Sequence, residues 1–549
     1  MRLRAIASFA FLSVAAPAQP PVINPHGIVN GGSFMSPGLP GGSIARGSLF
    51  TIFGQNLGPA TPIGVTSVPF SPTLGGVSVT VTQGAVSLNA TPYAAGANQI
   101  NAIMPSNAPL GMVSVRVSFN GAQSTPSPVN IVNSSIGILG AQGPGVIQNF
   151  NSQTSQPVNS PFVPAKPGQL VILWATGLGP VTFADNVTPT SGNLPTPIEL
   201  WVGGQFVASA NIQYDGRSSY PGVDEIIFTV PATAPVGCWV PVQIRTDGNM
   251  LSNAVTMAIT ADGSPCKEPA NPVGQQLLTG GKIGIVGLTR VAAHSGFISS
   301  VDQTIDLATL SLRQESAGAA PFNPLFSYPP PGTCTLYTAP GDLLGDDSLS
   351  GTAPTGAYLS AGSTFSISGA TTLQNVPAYS SPLPLEIVGV KLPTGTNNTL
   401  IFNPGSNVGM SSQGGDNLSG FAVATTMPPM LVWTNEDQIE TIDRTQPLNI
   451  TWSGAQSGST VMILGIDSDL SSNSSAAFLC VAPPNSTSFT IPSYIFYGVR
   501  ATRGWPYKSE ALLYVGALPL ANPVTFHENG LDLGVAFPVV VSSKQVIFQ

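Results

Sequence analysis

The sequence predicts an all-β protein of tandem immunoglobulin-like sandwiches, and composition, alternation and a duplicated cassette point there independently. Of 549 residues, 60 are Gly and 53 Pro, 8% are charged and 42% apolar. That balance excludes helix-rich folds, which draw on Ala, Leu, Glu and Lys, and favours short strands joined by tight turns. The apolar residues alternate with polar ones in short runs, so each strand buries one face and exposes the other, as in an antiparallel sandwich. Finally, Gly47-Ser48-Leu49-Phe50-Thr51-Ile52-Phe53-Gly54-Gln55-Asn56-Leu57-Gly58-Pro59 returns as Gly168-Gln169-Leu170-Val171-Ile172-Leu173-Trp174-Ala175-Thr176-Gly177-Leu178-Gly179-Pro180 at a constant offset of 121 residues. An offset of that length is a domain, not a solenoid repeat.

The chain opens on a secretory signal peptide, residues 1–18. Arg2 and Arg4 form its positive end, Ala5 to Ala15 its apolar stretch, and Ala16-Pro17-Ala18 the small-residue cleavage site. A membrane anchor needs about 20 apolar residues, and Pro17, Pro20 and Pro21 interrupt the run too early. No later segment is apolar for long enough to cross as a helix. The expectation is therefore an exported protein, secreted or at the cell surface, with no transmembrane segment after signal cleavage. The formal charge of −8 becomes more negative once Arg2 and Arg4 leave, and the remaining basic residues are scattered. Phosphate-backbone affinity requires clustered Lys and Arg, so nucleic acid is excluded as a partner.

Residues 19 to 30 read as a Pro-rich lead. The first module, 30–132, then shows strands at Leu49 to Phe53, Val77 to Val81, Ile100 to Met104, Val113 to Val117 and Val129 to Val132. The second, 134–266, repeats the order with Ile198 to Val202, Glu225 to Val230 and Trp239 to Ile244. Gly75-Gly76 beside a strand in the first copy resembles Gly203-Gly204 in the second. Pro105, Pro109 and Gly111 match Pro231, Pro235 and Gly237 at an offset of 126, so about five residues are inserted between the two motifs. Loop insertions leave a sandwich core intact. The duplication pairs Phe53 with Trp174, Leu57 with Leu178, Pro105 with Pro231 and Gly111 with Gly237.

These motifs, a GxxxTIxGxNLG-like opening strand, a GGV strand and a Pro/Gly-punctuated ending, resemble the IPT/TIG branch of early-set immunoglobulin-like domains. More closely, the tandem is similar to a secreted acidobacterial (Solibacter-type) family of uncharacterised Ig-like repeats. The resemblance spans about 30 to 262 and implies β-sandwiches and export; it implies no particular activity.

Beyond Cys266 the pattern changes. After a linker at Lys267 to Pro272, residues 278–425 read as a further β-rich domain of uncertain type. Residues 428–549 read as an immunoglobulin- or fibronectin-like sandwich, from Leu448 to Trp452, Thr460 to Leu464, Ala477 to Val481 and Ser488 to Ile491 at regular spacing. The four cysteines lack CxxC spacing, and in an exported chain disulfides are expected before a metal site. Cys238 and Cys266 flank the last hairpin of the second module and are expected to pair. Cys334 and Cys480 then remain, either as a bridge joining the third and fourth domains or as two free or buried thiols.

Catalysis needs titratable or nucleophilic groups gathered in a pocket, and few present themselves. The histidines are His26, His294 and His527, none in a metal-ligand spacing, and no GxSxG elbow occurs. His294 reads as an ordinary turn or strand residue, and Glu436, Asp437, Glu440 and Asp443 as a solvated edge. The adjacent pairs Asp224-Glu225, Asp346-Asp347 and Glu436-Asp437 point to opposite faces if they lie on strands. No enzyme activity, catalytic residue or cofactor is expected. Asp342 to Asp347 and Asp467-Ser468-Asp469 leave calcium open but match neither an EF-hand loop nor a nonapeptide repeat. Trp174, Trp239 and Trp452 sit in apolar runs and read as core. Trp505, in Arg503-Gly504-Trp505-Pro506-Tyr507, is the best candidate for an exposed aromatic. The function expected is surface adhesion, scaffolding or extracellular binding, with a surface protein or glycan as partner; the alternative is a carbohydrate-binding or enzyme-accessory protein with its site in 278–425.

Overall fold

The computed structural model describes residues 19–549 apart from 141–142, 247–248, 295–301, 319–320, 325, 341–356, 378–399, 470–473 and 504–508. Residues 1–18, where a signal peptide is expected, therefore lie outside the described residues, which are built from strands with two short helices, Pro272–Thr279 and Ser493–Phe496.

In the first module, strands Val22–Asn30, Leu49–Gln55, Gln99–Ile103 and Val86–Ala95 form one sheet, in that order. Strands Val77–Gln83, Gly111–Phe119 and Ser127–Val132 form the other, closed by the parallel pair Ile131 to Ile44. Val86–Ala95 serves both, pairing Val77–Gln83 through its first half and Gln99–Ile103 through its second. The supposed Pro-rich lead is thus a strand. Pro25 is tolerated because Val22–Asn30 is an edge strand whose register shifts between Ile23 and Ile28, where no ladder bond is asked of it.

The second module repeats this layout residue by residue. Leu49 faces Ile103 and Phe53 faces Gln99; in the copy Leu170 faces Thr229 and Trp174 faces Glu225. One strand has moved by 121 residues and its partner by 126, so the two motif offsets foretell the register. The parallel edge returns as Ala165, 121 residues after Ile44, bridged to Ile259, with Gly143 against Val255 on the same strand, and Leu57 and Leu178 are both fully buried. The copies differ where Val86–Ala95 is one strand: the second has Gln205–Val207 and Ile212–Arg217, broken by a 3-10 turn at Ser209–Asn211. The inserted residues go into that break and into the longer turn between Arg217 and Asp224. One equivalence fails. Gly75-Gly76 precedes the Val77–Gln83 strand, whereas Gly203-Gly204 follows Ile198–Val202. Both pairs have positive φ at each residue, as tight two-residue turns require, so they look alike in sequence without being equivalent.

The modules are joined by partly buried polar contacts. Leu49 N–H donates to Thr176 Oγ1 at 2.8 Å, whose hydroxyl donates to Gly222 O at 2.6 Å. Ser106 gives its N–H and hydroxyl to Asp185 at 2.8 and 2.6 Å, and the Asn186 side chain donates to Phe70 O.

The boundary expected between 278–425 and 428–549 is not a break in the structure. Strands Gly281–His294 and Gln303–Glu315 lie in the same ten-stranded sheet as Thr460–Asp469, Ser474–Val481, Ser509–Leu518 and Leu533–Phe548. The join is a parallel ladder that runs from Ile283 opposite Leu533 to His294 opposite Lys544. Two smaller sheets pack on it: Thr364–Ser368, Thr372–Pro377, Asn407–Gly414 and Ser419–Thr426 form one, and Val432–Trp433, Leu448–Ser453 and Ser488–Ile491 the other. One core cluster includes both packing regions. The strands expected in 428–549 are all present, but the unit shares its main sheet with residues 281–340. Partners 250 residues apart leave no local trace in the sequence.

Candidate functional sites

Trp174 is not in the core. Its neighbours Leu173 and Ala175 face inward, and strand alternation turns the indole outward, half-buried. Its N–H donates to Gln148 Oε1 at 2.7 Å, which fixes the ring, and the Tyr220 ring stands 6.3 Å away at 56°. Tyr220 is 56% exposed. Glu225, directly across the strands, faces outward too, while its neighbour Asp224 is buried, as their adjacency on a strand requires. Burial raises the Glu225 carboxyl above its ordinary range. The first module carries Phe53 at the equivalent position, with the ring of Phe34 at 6.1 Å. Each copy therefore places an aromatic pair on the outer face of the same sheet. The outward turn of Trp174 was legible from alternation; the apolar run around it hid the signal.

The other described tryptophans are engaged. Trp239, Trp433 and Trp452 are buried, and Trp201 stacks on Tyr494 at 4.4 Å and 6°, with the Arg245 guanidinium 5.6 Å from its centre. Trp505 lies outside the described residues.

His294 and the acidic cluster, which looked unrelated in sequence, meet. His294 ends its strand with Nδ1 3.4 Å from Asp302 and Nε2 3.4 Å from Glu436. Glu436 is buried, not part of a solvated edge; Asp437, Glu440 and Asp443 are exposed. Ser542 donates its hydroxyl to the Glu436 carboxylate at 3.2 Å, and Lys544 donates to the Glu436 carbonyl at 2.9 Å. Burial raises the Glu436 carboxyl, with His294 the largest opposing influence. The histidine thus sits between two carboxylates, and the serine bonds to the acid instead of the imidazole. Nucleophilic catalysis needs the reverse order, with the base touching the nucleophile.

Both cysteine pairs are disulfides. Cys238 and Cys266 have Cα atoms 5.6 Å apart, and the Glu268 carboxylate accepts the Cys238 N–H at 2.9 Å. Cys334 and Cys480 lie directly opposite on neighbouring strands of the long sheet, Cα atoms 4.0 Å apart, so this bond staples one body and does not bridge two. Among the calcium candidates, Asp342 to Asp347 lie outside the described residues. Asp467 is buried and accepts Arg500 Nε at 3.0 Å, so a guanidinium stands where a cation would.

Four carboxyls without an arginine partner, Asp215, Glu225, Glu268 and Glu436, are all raised by burial. A raised carboxyl binds its proton more tightly folded than unfolded, so its stabilising contribution is complete below the ordinary carboxylate range and is lost as pH rises through the raised value. The exposed Asp262 and Asp443, lowered by bonds from Ser264 and Thr445, act the other way. The thermal unfolding midpoint is expected to fall as pH rises from the ordinary carboxylate range, about pH 4, towards neutrality. A lower midpoint at the acid value would assign the dominant linkage to other groups.

No protein-family model matches the chain, and no curated protein sequence does. Among solved structures, the full extracellular region of plexin A4 is similar at 12% identity and a TM-score of 0.17, over 46% of this chain and 20% of that one. SGBP-B from a complex xyloglucan utilization locus in Bacteroides uniformis is similar at 13% identity and a TM-score of 0.16, over 66% and 82%. Domains 5-6 of the S-layer protein SbsC reach 11% identity and a TM-score of 0.16, over 44% and 98%. The chain spans about a fifth of the plexin region. Likeness this shallow carries no argument, and the sandwich fold rests on the sheets themselves.

Proposed function

We propose that this chain is an exported, non-catalytic protein of the Solibacter-type tandem Ig-like family, acting in surface adhesion, scaffolding or extracellular binding. The observation that supports this most is the outward aromatic pair at one equivalent position in both modules, Phe53 with Phe34 and Trp174 with Tyr220. Large apolar rings cost free energy when left in water, and they dominate interface energetics when covered. The partly buried contacts between the modules and the two disulfides suit a body that presents such faces in fixed geometry. Export is supported by the leader and by cysteines that are all paired. The His294 arrangement supports the non-catalytic reading because Ser542 donates its hydroxyl to Glu436, the acid beside the imidazole.

A glycan array and capture from cell-envelope extracts, each run with the mature protein and with Trp174→Ala, test the reading. Retention of a surface component should fall at least tenfold in the variant, about 1.4 kcal/mol, with the thermal midpoint little changed because the ring is half-exposed. Unchanged retention would remove Trp174 from the binding face, and ester or glycoside turnover abolished by His294→Ala would overturn the non-catalytic part. A carbohydrate ligand is the second reading. It is favoured by the setting of Trp174, where an indole face lies beside the Gln148 amide and the Glu225 carboxylate, groups able to bond sugar hydroxyls. Signal on the array without capture of a protein would select it.

A further inference from the structure

The long sheet of the C-terminal body is apolar on both faces. Alternate residues of its central strands enter the core, and the others, among them Tyr337, Met462, Leu464, Tyr514 and Val541, face the opposite side. Helix Pro272–Thr279 covers part of that side through Val273 and Leu277, and the segment holding Pro324 and Tyr328 continues the cover. Where the cover ends there is a groove of about 250 Å³, with Pro324 and Tyr328 as one wall.

The groove is shaped by a missing side chain. Gly516 stands opposite Met462 on one neighbouring strand and Val541 on the other, between the outward positions of Tyr514 and Leu518. A β-carbon at Gly516 would lie 3.0 Å from Val541 Cγ2, so backbone and Val541 close the floor. Strand backbones fix Tyr337, Leu464 and Tyr514 around it. Among the described residues, no Asp, Glu, Lys, Arg or His lines the groove. Burial raises the Tyr514 phenol to about 12 and the phenols of Tyr328 and Tyr337 further, so all three remain neutral hydrogen-bonding groups.

We propose that this groove binds one small, neutral, ring-bearing organic molecule, packed against the tyrosine rings with a hydroxyl or carbonyl bonded to a phenol. The lining decides the charge: an ion would lose its hydration with no opposite charge to meet it. The volume decides the size, since sites of about 300 Å³ or more hold drug-sized ligands and this one suits roughly ten non-hydrogen atoms. Water is a poor occupant of so apolar a space. This binding is separate from the aromatic faces of the modules.

The test is fluorescence titration of the mature full chain with 1-naphthol and with 1-naphthoate, which share a ring system and differ in charge at neutral pH. Naphthol is expected to saturate a single site and naphthoate to bind at least tenfold more weakly. Leu464→Trp, which fills the groove, and Tyr514→Arg, which charges its rim, should each weaken naphthol at least tenfold; both positions are half-buried, and circular dichroism reports whether each variant folds. Equal binding of the two probes, no naphthol binding at millimolar concentration, or binding indifferent to whichever variant folds would overturn the proposal. The probe comparison decides on the unmutated protein even if neither variant folds.

Discussion

Replacing Cys334 and Cys480 together by alanine is expected to destabilise the C-terminal body by up to about 5 kcal/mol on the chain-entropy estimate for so long a loop. The bond joins residues 146 apart in sequence, and the enclosed segment contains the whole four-stranded sheet from Thr364–Ser368 to Ser419–Thr426. With the bond intact, the unfolded chain is held as a large ring and loses much of its freedom before folding begins. The folded side changes less, because the two residues face one another on paired strands from Thr333 opposite Val481 to Pro340 opposite Ser474. Cys238–Cys266, 28 residues apart, closes a smaller ring, and breaking it should cost about 3 to 4 kcal/mol by the same reasoning. Urea unfolding of the two double variants, followed by circular dichroism, gives the comparison. A larger loss from the shorter ring would place the effect in native contacts, such as the bond from Cys238 N–H to Glu268.

What could be read in the sequence divides along contact range. The repeated cassette carried the first 262 residues because the paired strands of the two motifs have counterparts at fixed offsets, and a register is nothing more than a pair of such offsets. The edge strand Val22–Asn30 escaped notice because Pro25 speaks against a strand unless the register shift that accommodates it is known. In the C-terminal body, alternation marked Leu448 to Trp452 and Thr460 to Leu464, which fall inside the strands Leu448–Ser453 and Thr460–Asp469, but could not show that Gly281–His294 runs parallel beside Leu533–Phe548. For the same reason the meeting of His294 with Glu436 and Ser542 was hidden: it depends on that ladder, not on spacing. Trp174 was misplaced for a different reason. An apolar run was taken as wholly buried, although the alternate positions of a strand face opposite ways.

The largest effect expected from a single substitution is at Asp306, where Asp306→Ala should cost about 3 to 5 kcal/mol. Its side chain is fully buried, and it accepts Arg290 Nε at 2.8 Å and Nη2 at 2.9 Å, together with the backbone N–H groups of Ile401 and Phe402 at 2.7 and 2.9 Å. One carboxylate thus clamps the hairpin of Gly281–His294 and Gln303–Glu315 to the segment that leads into the four-stranded sheet. Alanine would leave a buried guanidinium with Asn403 Oδ1, at 3.3 Å, as its one side-chain acceptor among the described residues, and would orphan two buried N–H groups. The penalty comes from the uncompensated charge more than from the lost attraction, since a buried ion pair barely offsets its own desolvation. The double variant Arg290→Met with Asp306→Leu should therefore be less damaging than Asp306→Ala alone, although it removes more hydrogen bonds. Asp306→Asn, which keeps the shape and one acceptor oxygen, should fall between them. Urea midpoints measured on all three set the order, and a double variant weaker than Asp306→Ala would show that the two backbone bonds, not the charge, hold these sheets together.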